Sequence, residues 1–203
     1  MFEDRTLDEY TEMIASNAPV PGGGGASAVV GAIGIALGDM VGELTVGKKK
    51  YADVEEDIKA LMVRAQELRE KFLMASEKDA VVFEPLSRAY GIPKDEPGRD
   101  EILEKCLREA ASAPLEIFDL SCEAIEIIKE FGEKGSRLMI SDAATGAAHL
   151  KAAMYGAAVN VKVNTRLMKD REYAGKIDAH VEEMMDRYGK LADKVFEDIW
   201  QRF

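Results

Sequence analysis

Apolar residues recur along this chain at three- and four-residue intervals, and almost nowhere at the two-residue interval of a half-buried strand. The longest such run is Val54, Ile58, Leu61, Met62, Ala65, Leu68, Phe72 and Leu73. It predicts an amphipathic helix capped by Asp53 and reaching about Tyr90, with a kink at Pro85. A second run, from Ile177 through Val181, Tyr188, Leu191 and Val195 to Trp200, predicts a helix from about Glu172 to Phe203. Between them the pattern predicts a helix from about Asp100 to Phe131, broken or kinked near Ser112 by Pro114, and another from Ser141-Asp142 to about Lys169. Thr6-Leu7-Asp8-Glu9 has the spacing of a capping box and predicts a first helix to about Ser16. Residues 17–25 read as a loop, and Ala26 to Thr45 as a helix of small residues. The expected fold class is all-α, a bundle of five to six long helices, with residues 1–203 forming one domain.

Within the Ala26–Thr45 helix, Gly31, Gly34, Gly38 and Gly42 fall on one stripe. A glycine inside a helix costs roughly 1 kcal/mol against alanine. Close approach of a neighbouring helix is the usual compensation. The stripe and the helix lengths together predict a homodimer. A membrane span is disfavoured, because Asp39 and Glu43 interrupt the apolar stretch before the roughly 20 residues a span needs.

Composition narrows the class. The chain carries 27 Lys and Arg against 38 Asp and Glu, a net charge of −11. Nucleic acid and anionic membrane surfaces therefore fall away as partners. Cys106 and Cys122 have neither metal nor CxxC spacing, and the opening Met1-Phe2-Glu3-Asp4 is acidic, unlike a signal peptide. The expected location is the cytoplasm. Only two Gln and three Asn occur, a depletion seen in thermophile proteins that makes each amide conspicuous.

Four stretches could carry chemistry. Pro19-Val20-Pro21-Gly22-Gly23-Gly24-Gly25-Ala26-Ser27 leads into a helix, where free N–H groups and the dipole favour an anion. A tight turn needing positive φ is the competing explanation. Lys48, Lys49 and Lys50 form a positive point on an acidic protein; pairing with the dipole of the preceding helix is the plainer alternative. Asn160 and Asn164, four apart in an apolar run, either bond within the bundle or line a ligand cavity. Asp79 is an acid beside Ala80, Val81, Val82 and Phe83, where burial would raise its proton affinity. Asp142 lies five turns before Asn160 on the same face, about 27 Å away. Both then serve only if the ligand is long, if there are two sites, or if one site is shared between subunits. His149 and His180 are isolated, and no metal site is expected.

In this order these motifs resemble the formiminotransferase-cyclodeaminase C-terminal domain family, which includes stand-alone methenyltetrahydrofolate cyclohydrolases. The resemblance rests on Pro19 to Gly24, Met40-Val41-Gly42, Leu44-Thr45, Gly47 to Tyr51, Asp79-Ala80-x-x-Phe83, Ser141-Asp142, Gly156, Asn160 and Asn164. It implies a helical, dimerising enzyme of folate one-carbon metabolism. The first reaction it implies is cyclodeamination of 5-formiminotetrahydrofolate to the 5,10-methenyl form. The alternative is cyclohydrolysis of that form to 10-formyltetrahydrofolate, and a non-catalytic folate-binding protein is a third reading. The implied partners are a tetrahydrofolate derivative, with or without a polyglutamate tail, and a second copy of the chain; no further cofactor is implied. Asp79 and Asp142 would move protons. Asn160 and Asn164 would orient the pterin or the one-carbon unit. Gly22, Gly23, Gly24, Ser27, Lys48, Lys49 and Lys50 would hold the anionic tail. Two departures stand out: four glycines where the family commonly has three and a serine, with Ser27 the substitute hydroxyl, and lysines where bifunctional members carry arginines, which removes bidentate carboxylate binding.

Overall fold

The computed structural model describes residues 4–203. The first three residues of the acidic opening stretch lie outside the described residues. Six α-helices and no strands occur among the described residues: α1 (Leu7–Ile14), α2 (Gly23–Glu43), α3 (Glu55–Ala89), α4 (Arg99–Lys134), α5 (Ile140–Thr165) and α6 (Arg171–Trp200). A 3-10 segment, Lys49–Val54, joins α2 to α3.

Helix α1 starts at the predicted capping box. Thr6 accepts the Glu9 N–H, and the Glu9 carboxylate accepts the Thr6 N–H. The later boundaries differ from expectation in instructive ways. Helix α3 is capped at Val54 without a side-chain bond, so Asp53 does not cap it. Helix α4 runs through Pro114 without a break. Proline removes one backbone bond, but Ala110, Ala111, Ala113, Ile117 and Phe118 are buried on both sides of it. Packing outweighs that single lost bond.

The core forms where α2, α3, α4 and α5 meet. Phe72, Phe118, Phe131, Ile35 and Leu150 are fully enclosed there, each contributing about 1.5–3 kcal/mol by burial. The glycine stripe lets α2 into this core. A β-carbon on Gly38 would lie 2.7 Å from Ile128, and one on Gly42 would lie 2.6 Å from Met62. At the α2–α5 crossing the backbones themselves meet: a β-carbon on Gly146 would lie 2.7 Å from the Gly34 carbonyl oxygen. Helix α2 is long and apolar enough to cross a membrane, yet more than half of its apolar window is buried inside the bundle. Cys106 and Cys122 are both buried and free. Burial pushes the Cys122 thiol up to about 12, so it packs against Met154 as a small hydrophobe.

Candidate active site

The glycine run is not a turn. Gly23, Gly24 and Gly25 already belong to α2, and among the described glycines only Gly47 and Gly98 have positive φ. The explanation by positive φ is thereby overturned; what these glycines provide is close approach. A β-carbon on Gly24 would collide with the Asp79 carboxylate, and one on Gly23 would lie 3.1 Å from Asn160 Nδ2. Behind them, a β-carbon on Gly156 would collide with Ser27 Oγ. The start of α2, the middle of α3 and the C-terminal half of α5 thus converge with only hydrogens between them.

Asp79 is the ionisable group of this cluster. The Gly25 N–H donates to its Oδ2 at 2.8 Å. Desolvation by burial raises its carboxyl pKa, and the Gly25 bond opposes that in smaller measure. Both causes act because the carboxylate sits against the open first turn of α2, where N–H groups lack helical partners. Ser27 donates to the Gly23 carbonyl at 2.7 Å, steadying the run. Asn160 donates to the Gly156 carbonyl at 2.8 Å, and the same amide lies against Gly23. Asn164, one turn on, is 7% exposed and donates to the carbonyls of Asn160 and Ala110. It ties α5 to α4, whereas Asn160 faces the cluster.

The second group of motif residues gathers at the other end of α2. The Thr45 hydroxyl accepts the Ser136 N–H at 2.8 Å, and Lys48 Nζ lies 3.4 Å from Ser136 Oγ. The Arg137 N–H donates to the Tyr51 hydroxyl at 3.0 Å and is the largest cause of a lowered Tyr51 pKa. Lys48, Lys49 and Lys50 are exposed. Asp142, half-buried in the first turn of α5, belongs to this end. Asp79 and Asp142 are therefore not brought together within one chain: α2, 21 residues long, separates the clusters by about 30 Å. His149 lies midway along α5, its Nδ1 2.7 Å from the Thr145 carbonyl. His180 joins α6 to α4 through Asp119 at 2.8 Å, away from both clusters. No cluster of three His, Cys, Asp or Glu side chains suited to a metal occurs among the described residues.

Three residues of interest escaped the sequence reading. Tyr10 and Ser76 bond each other at 3.3 Å beside Asp79; only a three-dimensional contact across 66 residues reveals them. Asp39 has one carboxylate oxygen buried without a hydrogen-bond partner. Burial raises its pKa, with Gln66 opposing. A wide groove of about 570 Å³ between α5 and α6 holds none of the motif residues. A smaller cavity of about 180 Å³ is lined by Tyr10, Val29, Leu73 and Ser76, beside the Asp79 cluster.

Glycine-held carboxylate, paired amide and basic turn on an all-α bundle are the arrangement that the sequence motifs anticipate. A model of the formiminotransferase-cyclodeaminase family matches residues 6–183, and the chain belongs to that family. It is 34% identical over 203 residues to a methenyltetrahydrofolate cyclohydrolase of Methylorubrum extorquens, covering 98% of both chains. It is 28% identical to a formimidoyltransferase-cyclodeaminase of Dictyostelium discoideum, covering 95% of this chain but 36% of that one. Its fold superposes on the crystal structure of a formiminotetrahydrofolate cyclodeaminase from Thermotoga maritima with a TM-score of 0.86, at 29% identity and covering 98% and 99% of the two chains.

Proposed function

We propose that this protein is a folate one-carbon enzyme that hydrolyses the methenyl bridge of 5,10-methenyltetrahydrofolate to give 10-formyltetrahydrofolate. The observation that carries this reading is the end-to-end match, at 34% identity, to a methenyltetrahydrofolate cyclohydrolase. This chain spans only about a third of the length of the formimidoyltransferase-cyclodeaminases it matches. Cyclodeamination, the activity placed first by the motif resemblance, becomes the second reading. It keeps one specific support, the full-length fold match to a formiminotetrahydrofolate cyclodeaminase.

In this reading Asp79 moves the proton. The methenyl bridge is an amidinium cation, which a carboxylate attracts. Water adds to the bridge carbon as Asp79 takes one of its protons. The bond from that carbon to N5 then breaks, its electron pair stays on N5, and Asp79 returns the proton there. The remaining hydroxyl proton leaves to solvent as the formyl carbonyl forms on N10. One carboxylate serves both steps if its proton affinity lies near the working pH, which its burial favours.

The reading also assigns the two ends of α2 to one site shared between two copies. Between the ends, α2 turns Val30, Ile33, Leu37 and Met40 outward at alternating three- and four-residue spacing, with Ile33 and Met40 each 45% exposed. Val159 and Val163 of α5 continue the stripe. A second copy, related by a twofold axis across these helices, covers that face. Antiparallel pairing sets the Asp79 end against the partner's lysines, while parallel pairing would oppose three lysines to three lysines. Asp142 and Lys48 to Lys50 then act on the tail or bridge of a folate held by the other copy's glycine end.

The methenyl compound absorbs light, so the test is direct. Purified protein added to 5,10-methenyltetrahydrofolate speeds loss of that absorbance over the spontaneous rate if the reading holds. Absorbance that appears from 5-formiminotetrahydrofolate, without accelerated loss, transfers the assignment to the cyclodeaminase. No change in either, with folate bound, leaves a folate-binding protein.

A further inference from the structure

Helix α1 is eight residues long, and Tyr10 is its one buried residue. That side chain is 6% exposed and reaches across to α3, where its hydroxyl lies 3.3 Å from Ser76 Oγ. Ser76 is 2% exposed and precedes Asp79 by about one helical turn. A β-carbon on Gly25 would lie 3.3 Å from Ser76 Oγ and 3.5 Å from the Tyr10 hydroxyl. The Gly25 N–H is the group that Asp79 holds. Two hydroxyls and the carboxylate therefore crowd around one residue at the start of α2.

We propose that Tyr10 is a positioning residue of the Asp79 site, closing its inner side to water together with Ser76, so that α1 is part of the catalytic apparatus. This rests on the reading of Asp79 as the proton-transfer group. The cavity of about 180 Å³ beside the cluster shows what the ring holds back. It is lined by Arg5, Leu7, Tyr10, Val29, Leu73 and Ser76, and removal of the Tyr10 ring would extend it toward the carboxylate. Burial is the largest cause of the raised Tyr10 pKa, the Ser76 bond lowers it, and Asp79 and Glu77 raise it. The phenol thus stays protonated near neutral pH and remains a donor. Helix α1 brings Tyr10 to this corner, the segment before its cap brings Arg5, and α3 brings Glu77. Helix α2 adds backbone and the apolar Val29, and α5 adds the neutral Asn160.

The experiment follows the Asp79 carboxyl directly, by 13C NMR titration of the aspartate-labelled full chain, with the signal assigned by its loss in Asp79→Asn. Tyr10→Ala admits water, and the Asp79 titration moves down by about one pH unit. Tyr10→Phe, which keeps the ring, moves it by less than half as much. Where the protein turns over methenyltetrahydrofolate, the acidic limb of kcat/KM moves by the same amount. A folded Tyr10→Ala protein with an unmoved Asp79 titration overturns the proposal. If Tyr10→Ala does not fold, Tyr10→Leu, a smaller apolar cut that still opens the cavity, decides it. An unmoved Asp79 titration in the folded Tyr10→Leu protein overturns it. Absence of turnover in the unaltered protein refutes the activity reading alone, and the titration still decides the role of Tyr10.

Discussion

The two ends of α2 are built on opposite plans. At its start, glycines without side chains let α3 and α5 close on a carboxylate that is half-buried, bonded to one N–H and short of water. Past its end, three exposed lysines, a left-handed Gly47 and a tyrosine bonded to the Arg137 N–H make an open, positive surface. Burial raises the proton affinity of the carboxylate at one end; an open basic turn can attract an anion but hold it only loosely. In the proposed reading the contrast separates chemistry from capture, and each change below acts on one end or, for Asp39, between them.

The largest effect is expected from Asp79→Asn. It keeps the shape and the Gly25 contact but cannot take a proton, so kcat falls by about 10²–10⁴ while the far-ultraviolet circular dichroism stays unchanged. Gly24→Ala comes next, because its β-carbon meets the Asp79 carboxylate. A side-chain shift there costs about tenfold to a hundredfold in turnover, of the kind produced by a misplacement of about 1 Å. At the other end, replacing Lys48, Lys49 and Lys50 together with alanine should leave kcat nearly unchanged. KM for a polyglutamylated folate rises about tenfold, or about 1.4 kcal/mol, and the difference shrinks in high salt. The dry end also sets the pH profile. Asp79 must be ionised to take a proton from water, and burial raises its pKa. Activity therefore falls as pH drops through a midpoint above the ordinary carboxylate range, readable from kcat/KM against pH. The smallest change concerns Asp39, between the ends. Its folded-state pKa is raised, so the stability it contributes is present at low pH and lost as pH rises through that value. Asp39→Asn should accordingly raise the thermal midpoint at pH 8 and change it little at pH 4.

The helices were legible because period and caps act locally. Thr6-x-x-Glu9 fixed the start of α1, and the 3.6-residue run from Ile58 to Leu73 marked α3. Boundaries were less legible: α4 continues through Pro114 without a break, and Val54 rather than Asp53 precedes α3. At the site, Asp79, the glycines and Asn160 were visible as motif residues, but the reason for the glycines was not. For residues 22–25 the sequence offered an anion-holding helix start or a turn with positive φ; the structure has helical glycines pressed against Asp79 and Asn160. Tyr10 and Ser76 carry no motif and emerge only when α1 folds back on α3. The separation of Asp142 from Asn160 could be counted along α5 beforehand, and a site shared with a second copy is one of the three arrangements that bridge it.

Mixing two inactive variants tests the shared site most directly. Asp79→Asn and a variant combining Asp142→Ala with Lys48, Lys49 and Lys50→Ala are each inactivated or weakened alone, then mixed under conditions that exchange subunits. With opposite ends drawn from different copies, each mixed dimer carries one intact site and one doubly altered site, and activity returns to about a quarter of that of the unaltered protein when the copies pair at random. Exchange verified by mass, with activity no higher than the average of the two parents, would contradict the shared site and confine catalysis to the glycine end of a single chain.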